Sequence, residues 1–312
     1  EIASCLVGSE MCIRDRSGGM RIARYAPADG DPAFGIVELA ADGGDHPDTI
    51  AQITGDPVAG PVQYTGARVN LADVRLLSPV IPRSKIIGVG RNYPISGAGR
   101  PDSDAARADG DEADPSATGR QGSADAAPLM TFLKPNTAVI GPDTPIVRPD
   151  DCTDLQVEGE LAVVIGRICK DVPGERAQEA IFGFTVANDV TATGGYDADD
   201  MIRVKGSDTF CPLGPWMVTH FSVAEADSVH LRTTVDGKVR QESSTSEMIR
   251  SVAELVSEIS SRLTLLPGDV ILTGTPAGAA TVAPQQQVEV EIEGIGTLVN
   301  GVVAEHDTVL EG

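Results

Sequence analysis

The chain has 312 residues, 41% of them hydrophobic, enough to bury one large core or two ordinary ones. It carries 46 acidic against 24 basic residues, a formal net charge of -22 and a pI near 4.4. That balance argues against nucleic acid and anionic membrane as partners, and no apolar run is long enough to span a bilayer. The five cysteines (Cys5, Cys12, Cys152, Cys169 and Cys211) are odd in number and contain no CxxC pair. They form neither a disulfide framework nor a zinc site, so a reducing cytoplasm is the expected compartment.

Residues 1–19 read as foreign to the fold. They lack the basic start and long apolar stretch of a signal peptide. Met20 is the expected native start and opens a strand through Tyr25. Phe34–Leu39 is a second strand candidate, and residues 20–80 together read as a small β-rich domain. The segment KIIGVGRNY at 85–93 reads as a buried strand followed by a turn.

Residues 94–127 are dominated by Gly, Asp, Ala, Ser and Pro. Such a segment offers no core, and the expectation is a mobile lid or insert. Ordered patterning resumes at Pro128–Phe132 and continues as short strands.

The run Val157–Gly166 is apolar except at its start, where Glu158 and Glu160 stand two residues apart. Such a run reads as a buried strand, on which i and i+2 share a face. Two adjacent buried carboxylates repel and resist desolvation, and a hard divalent cation removes both penalties. Spacing alone also fits a solvent-facing strand edge with two ordinary glutamates.

A short helix is expected over 173–181. The strand Gly183–Val190 carries Asp189 at its end, as a third oxygen ligand or as a strand-end acceptor of backbone hydrogen bonds. Lysine is scarce in this chain: Lys85, Lys134, Lys170, Lys205 and Lys238. Lys205 lies among small and apolar residues, where it either neutralises negative charge or sits on the surface. A helix begins at Ser251, which forms a capping box with Glu254, and Val252, Leu255, Val256, Ile259 and Leu263 fall at helical spacing. After the strand at Val270–Leu272, the segment Thr273–Gly278 reads as an anion-binding turn or a plain Gly/Pro turn. The whole is a β-rich α+β chain.

In order, these segments resemble the fumarylacetoacetate hydrolase superfamily over roughly residues 85–305. The resemblance rests on Glu158-x-Glu160, on Asp189 within VANDV, and on the block KGSDTFCPLGP from Lys205. It continues in TSEMI at 245–249, in PGDVILTGTPAG, and in the terminal IEGIGTL run. Residues 20–80 resemble the small N-terminal domain of bacterial and archaeal 2-hydroxyhepta-2,4-diene-1,7-dioate isomerase-like members. The resemblance implies a mixed β-roll catalytic domain over 85–307, a homodimer, and Mg2+ or Mn2+ held by Glu158, Glu160 and Asp189. It implies a small-molecule 2-oxo acid or 1,3-diketo acid substrate, turned over through a metal-stabilised enolate by isomerisation, decarboxylation or C–C hydrolysis. Lys205 and Thr275 are then the expected catalytic residues, and Arg203 and Gly274 the expected substrate contacts.

The sequence departs from the family pattern in two places. Hydrolytic and decarboxylating relatives carry a His and a Glu after the G-x-N-Y turn, where this chain has Ser96 and Gly99. The usual S-A-R-D run after the Asp ligand is Thr191–Gly194, without its arginine. The four histidines, His46, His220, His230 and His306, lie elsewhere in sequence. Asp102, Asp104 or Glu112 of the insert are candidate substitute bases. The sequence therefore supports an enzyme of this family, or a degenerate member that binds metal with little catalysis.

Overall fold

The computed structural model describes residues 20–40, 46–94 and 128–308. The expectations for residues 1–19 and for the insert, including Ser96, Gly99, Asp102, Asp104 and Glu112, fall outside the described residues. Among the described residues the architecture is strand-rich, and no helix is long and apolar enough to cross a membrane.

A large mixed sheet organises the molecule. Its strands run in the order Tyr64–Asn70, Thr49–Ile53, Ala33–Glu38, Arg21–Pro27, Cys211–Val218, Ile181–Asn188, Gly159–Ile165, Val270–Leu272, Ile86–Gly90 and Met130–Lys134. The two strands at its centre, Gly159–Ile165 and Ile181–Asn188, are buried at every position. Their mostly apolar sequence, interrupted by Glu160, Thr185 and Asn188, suits a strand covered on both faces. Leu161, Val163 and Ile165 enter one apolar cluster, while Ala162 and Val164 enter another. The period of two thus divides one strand between two cores.

The N-terminal residues do form short strands, but their sheet continues into the rest of the chain. Arg21 and Ile22 pair with Val218 and Met217. Met20, Ile22, Phe34, Ile36 and Val62 share one cluster with Ala162, Val164, Leu213, Met217 and Leu272. A second sheet of five strands runs Lys238–Ser244, His230–Val235, Gln287–Ile292, Gly296–Ala304, Ile146–Arg148. Three short strands, Thr191–Ala192, Leu155–Val157 and Ala280–Val282, make a third.

The run read as one strand over 157–166 is divided. Leu155–Val157 belongs to the three-stranded sheet, and Gly159–Ile165 to the large one. Glu158 sits at the break. The expected helix over 173–181 is a 3-10 turn, Gly174–Arg176, followed by Ala177–Ala180, and Ile181 already starts a strand. The helix Val252–Arg262 has the capping box read from Ser251 and Glu254, and it buries Val252, Leu255, Val256 and Ile259. Leu263 does not belong to its apolar face. The helix ends at Arg262, and Leu263 is 40% exposed.

Ser251→Ala removes an acceptor for the Glu254 N–H and should destabilise the protein by about 1 kcal/mol. In thermal unfolding this is a fall of roughly 2–4 °C. An unchanged midpoint would show that the cap contributes nothing.

Candidate metal centre

The break at Glu158 builds the site. Its backbone N–H donates to Asn188 Oδ1 at 2.9 Å, and its carbonyl accepts from the Asp189 N–H at 2.8 Å. Gly159 pairs with Asn188 across the sheet, so Asp189, one residue further on, lies opposite Glu158. Glu160 is the second residue of its own strand. The three carboxylates offer oxygens that all lie within 4.8 Å of one another. Glu160 and Asp189 are 1% exposed, and Glu158 is half-buried.

Two lysines enter the cluster. Lys205 ends the short helix Met201–Lys205, which Asp200 caps, and it is buried rather than on the surface. Its ammonium donates to Asp189 Oδ2 at 2.7 Å, Glu158 Oε2 at 3.0 Å and Thr191 Oγ1 at 2.6 Å. Lys134, at the end of Met130–Lys134, donates to Asp189 Oδ1 at 2.5 Å and to the Val190 carbonyl at 3.1 Å. Sequence reasoning missed Lys134 as a site residue, although a lysine closing the apolar segment MTFL in a lysine-poor chain was a usable signal.

The charges are unequally matched. Burial raises the Glu160 carboxyl well above the ordinary range, and the charges of Asp189 and Glu158 add to it. The Lys205 charge and the Gly274 N–H offset only part. Burial also works against an ionised Asp189, but the neighbouring Lys134 and Lys205 charges outweigh it and hold the group below its usual range. For Lys205, burial alone would favour the neutral amine. Asp189 and Glu158 reverse that and keep the ammonium well above the ordinary lysine value. Glu160 is therefore a buried carboxylate with no cation of its own in contact. A hard divalent ion suits this set, because all three donors are carboxylate oxygens and one charge lacks compensation.

The segment after Val270–Leu272 closes over Glu160. The Gly274 N–H donates to Glu160 Oε2 at 2.7 Å, and Gly274 takes a φ of +96°. A side chain there would meet Asn92 Cβ at 2.8 Å. The Thr275 hydroxyl donates its one proton to the Gly159 carbonyl at 2.9 Å and accepts from Gln241 Nε2 at 2.7 Å. The donors that the sequence reading gave to substrate at Gly274 and Thr275 are thus directed at the strand bearing the glutamates. Arg203 is exposed. It pairs with Asp200 at 3.5 Å and lies over the Tyr196 ring at 5.6 Å.

Asn92 fixes the turn after Ile86–Gly90. Its amide donates to the carbonyls of Arg250 at 3.0 Å and Thr273 at 2.8 Å, and its oxygen accepts from the Arg250 N–H at 2.8 Å. The next residue, Tyr93, is 6% exposed, and its hydroxyl has no hydrogen-bond partner among the described residues. Burial and the Glu160 charge raise its pKa above the usual tyrosine value. No histidine belongs to the described carboxylate cluster.

The fumarylacetoacetate (FAA) hydrolase C-terminal family matches residues 85–303. The chain belongs to the fumarylacetoacetate hydrolase family. Residues 20–79 match a second family, Rv2993c-like, N-terminal. The chain is 43% identical to protein Rv2993c of Mycobacterium tuberculosis over 285 residues, 91% of this chain and 98% of that one. The crystal structure of 5-carboxymethyl-2-hydroxymuconate delta-isomerase from Mycobacterium smegmatis is 43% identical, with a TM-score of 0.73 over 92% of this chain and 100% of that one. Maleylpyruvate hydrolase from Sphingobium sp. SYK-6, solved with manganese(II) and pyruvate, is 27% identical, with a TM-score of 0.68 over 91% and 99% of the two chains. These family neighbours, isomerase and hydrolase, together with the acidic triad, support a metal-dependent enzyme of the family.

Proposed function

We propose that the chain is a Mg2+- or Mn2+-dependent enzyme that acts on 2-oxo acids or 1,3-diketo acids through an enolate, and that it promotes enolisation better than C–C hydrolysis. The observation that carries this reading is the oxygen-only triad of Glu158, Glu160 and Asp189, buried at two of its three members and short of one positive charge. A divalent ion held by the triad supplies a Lewis acid for a substrate oxo group.

The remaining roles fall to side chains of this chain. All three Lys205 protons are committed, so an incoming substrate oxygen must displace one of their acceptors. Glu158 is the most exposed of the three carboxylates and holds the longest of those contacts, at 3.0 Å. Exchange of that contact lets Lys205 face the charge that develops on substrate. Lys134, wholly enclosed, keeps Asp189 ionised and aimed. The buried Tyr93 hydroxyl has no hydrogen-bond partner among the described residues, and the Glu160 charge helps keep its proton in place. Arg203 remains the expected substrate contact of this reading, whereas the Gly274 and Thr275 donors hold Glu160 and Gly159; a homodimer is its expected assembly.

Hydrolysis needs a positioned water and a base, worth roughly 10²–10⁴-fold in rate. The chain has Ser96 and Gly99 where dyad-bearing relatives carry His and Glu. Enolate stabilisation does not need that base. Deuterium exchange at C3 of a 2-oxo acid, followed by NMR beside product analysis and repeated with EDTA, tests the reading. Metal-dependent exchange with slow cleavage is expected. Fast acylpyruvate cleavage would refute the ranking of the two reactions. Absence of both would establish the alternative, a metal-binding member of the family with little catalysis.

A further inference from the structure

We infer that Gln241, on the second sheet, is a positioning residue that sets the metal ligands and the Thr275 loop as one unit. This rests on the metal-centre reading above. Gln241 is 1% exposed, and its amide is fully used. Its oxygen accepts from the Gly159 N–H at 2.9 Å, between the two glutamates. Its nitrogen donates to Thr275 Oγ1 at 2.7 Å and to the Pro276 carbonyl at 2.9 Å. Thr275 Oγ1 closes the ring by donating to the Gly159 carbonyl at 2.9 Å. Both backbone polar groups of Gly159 are therefore held by two side chains that also bond each other.

The local sequence explains how Gln241 reaches this point. In the hairpin of His230–Val235 and Lys238–Ser244, Thr233 opposes Gln241 and Thr234 opposes Val239, which leaves Arg240 unopposed. Such a bulge bends a strand and re-aims the side chain beside it. Gly278 seats the loop on that bulge. It has a φ of +102°, and a side chain there would stand 2.3 Å from the Arg240 carbonyl oxygen. Gly159 presses its strand onto the same five-stranded sheet: a Cβ would stand 2.2 Å from Thr233 Oγ1, on the hairpin, and 2.9 Å from Val290 Cγ1, on the adjacent strand Gln287–Ile292. Bulge, glutamine and two glycines thus serve one contact. A core glutamine kept only for stability would not need to bond both the segment carrying two metal ligands and the loop that caps Glu160.

Outer partners that orient metal ligands typically contribute 10–100-fold to metal affinity. Gln241→Leu should weaken Mn2+ binding, titrated calorimetrically into the full-length metal-free chain, by a factor on the order of 10–100. Thr275→Val, which keeps shape and removes the hydroxyl, should also weaken it. The double variant should bind no worse than Gln241→Leu alone, because contacts in one network are not additive. Ser251→Ala, remote from the site, should lower the unfolding midpoint without changing Mn2+ affinity, and marks what loss of stability alone does. Wild-type Mn2+ affinity in Gln241→Leu would overturn the inference. If that variant does not fold, wild-type affinity in Thr275→Val overturns it equally. A wild-type chain that binds no Mn2+ would instead overturn the metal-centre reading itself.

Discussion

Glu160→Ala is expected to abolish Mg2+ and Mn2+ binding in calorimetric titration. Glu160 is 1% exposed, and burial together with the charges of Asp189 and Glu158 raises its carboxyl well above the ordinary range. A bound divalent ion would compensate that charge. Glu160→Gln separates charge from hydrogen bonding, because its amide oxygen still accepts from the Gly274 N–H. It should bind metal weakly and should leave the metal-free protein as stable as the wild type or more so, since a penalised charge is gone. At 100 times its Kd, a metal stabilises the wild type by about 2.7 kcal/mol. At roughly 2–4 °C per kcal/mol, the midpoint then rises by about 5–10 °C. The alanine variant should show no such rise. Undiminished affinity in Glu160→Ala would refute the assignment.

Lys205→Met is expected to lose most turnover and, without metal, part of its stability. The structure places the ammonium on two carboxylates and a threonine, almost out of contact with water. Breaking a buried ion pair by removing one member costs about 3–5 kcal/mol. Lys134 still neutralises Asp189, so the lower end is expected. Divalent metal should recover much of that loss by taking over Glu158 and Asp189. Fluorescence-detected unfolding with and without Mn2+, beside kcat/KM, checks both halves. A metal-free midpoint equal to that of the wild type, with unchanged kcat/KM, would return Lys205 to the status of a bystander.

The Ser251–Glu254 capping box, read from residues three positions apart, is present, and Glu158, Glu160 and Asp189 lie together in the structure. What escaped reading depends on register between distant segments. Lys134 meets Asp189 across 55 positions, and Gln241 meets Gly159 across 82. Nothing in either neighbourhood names its partner. The break at Glu158 escaped for a different reason. Hydrophobic periodicity sees a continuous apolar run, whereas the hydrogen-bond ladders change from one sheet to another within it. Leu263 shows the opposite limit: its spacing fits the helix, but the helix has already ended.

The sheet runs from the N-terminal strands into the centre, so the segment matched at residues 20–79 and the segment from 85 onward share one sheet and one apolar cluster. Phe34, Ile36 and Val62 roof the same apolar face that Ala162 and Val164 present, on the strand that begins with Gly159 and Glu160. A polypeptide holding only the later segment would show that face to water and leave Met217 and Val218 as an open strand margin, an invitation to self-association. Residues 20–79 are therefore not expected to be exchangeable as a detachable cassette. Any chain built on the second segment alone has to roof that face in another way, with polar side chains or with a neighbouring polypeptide.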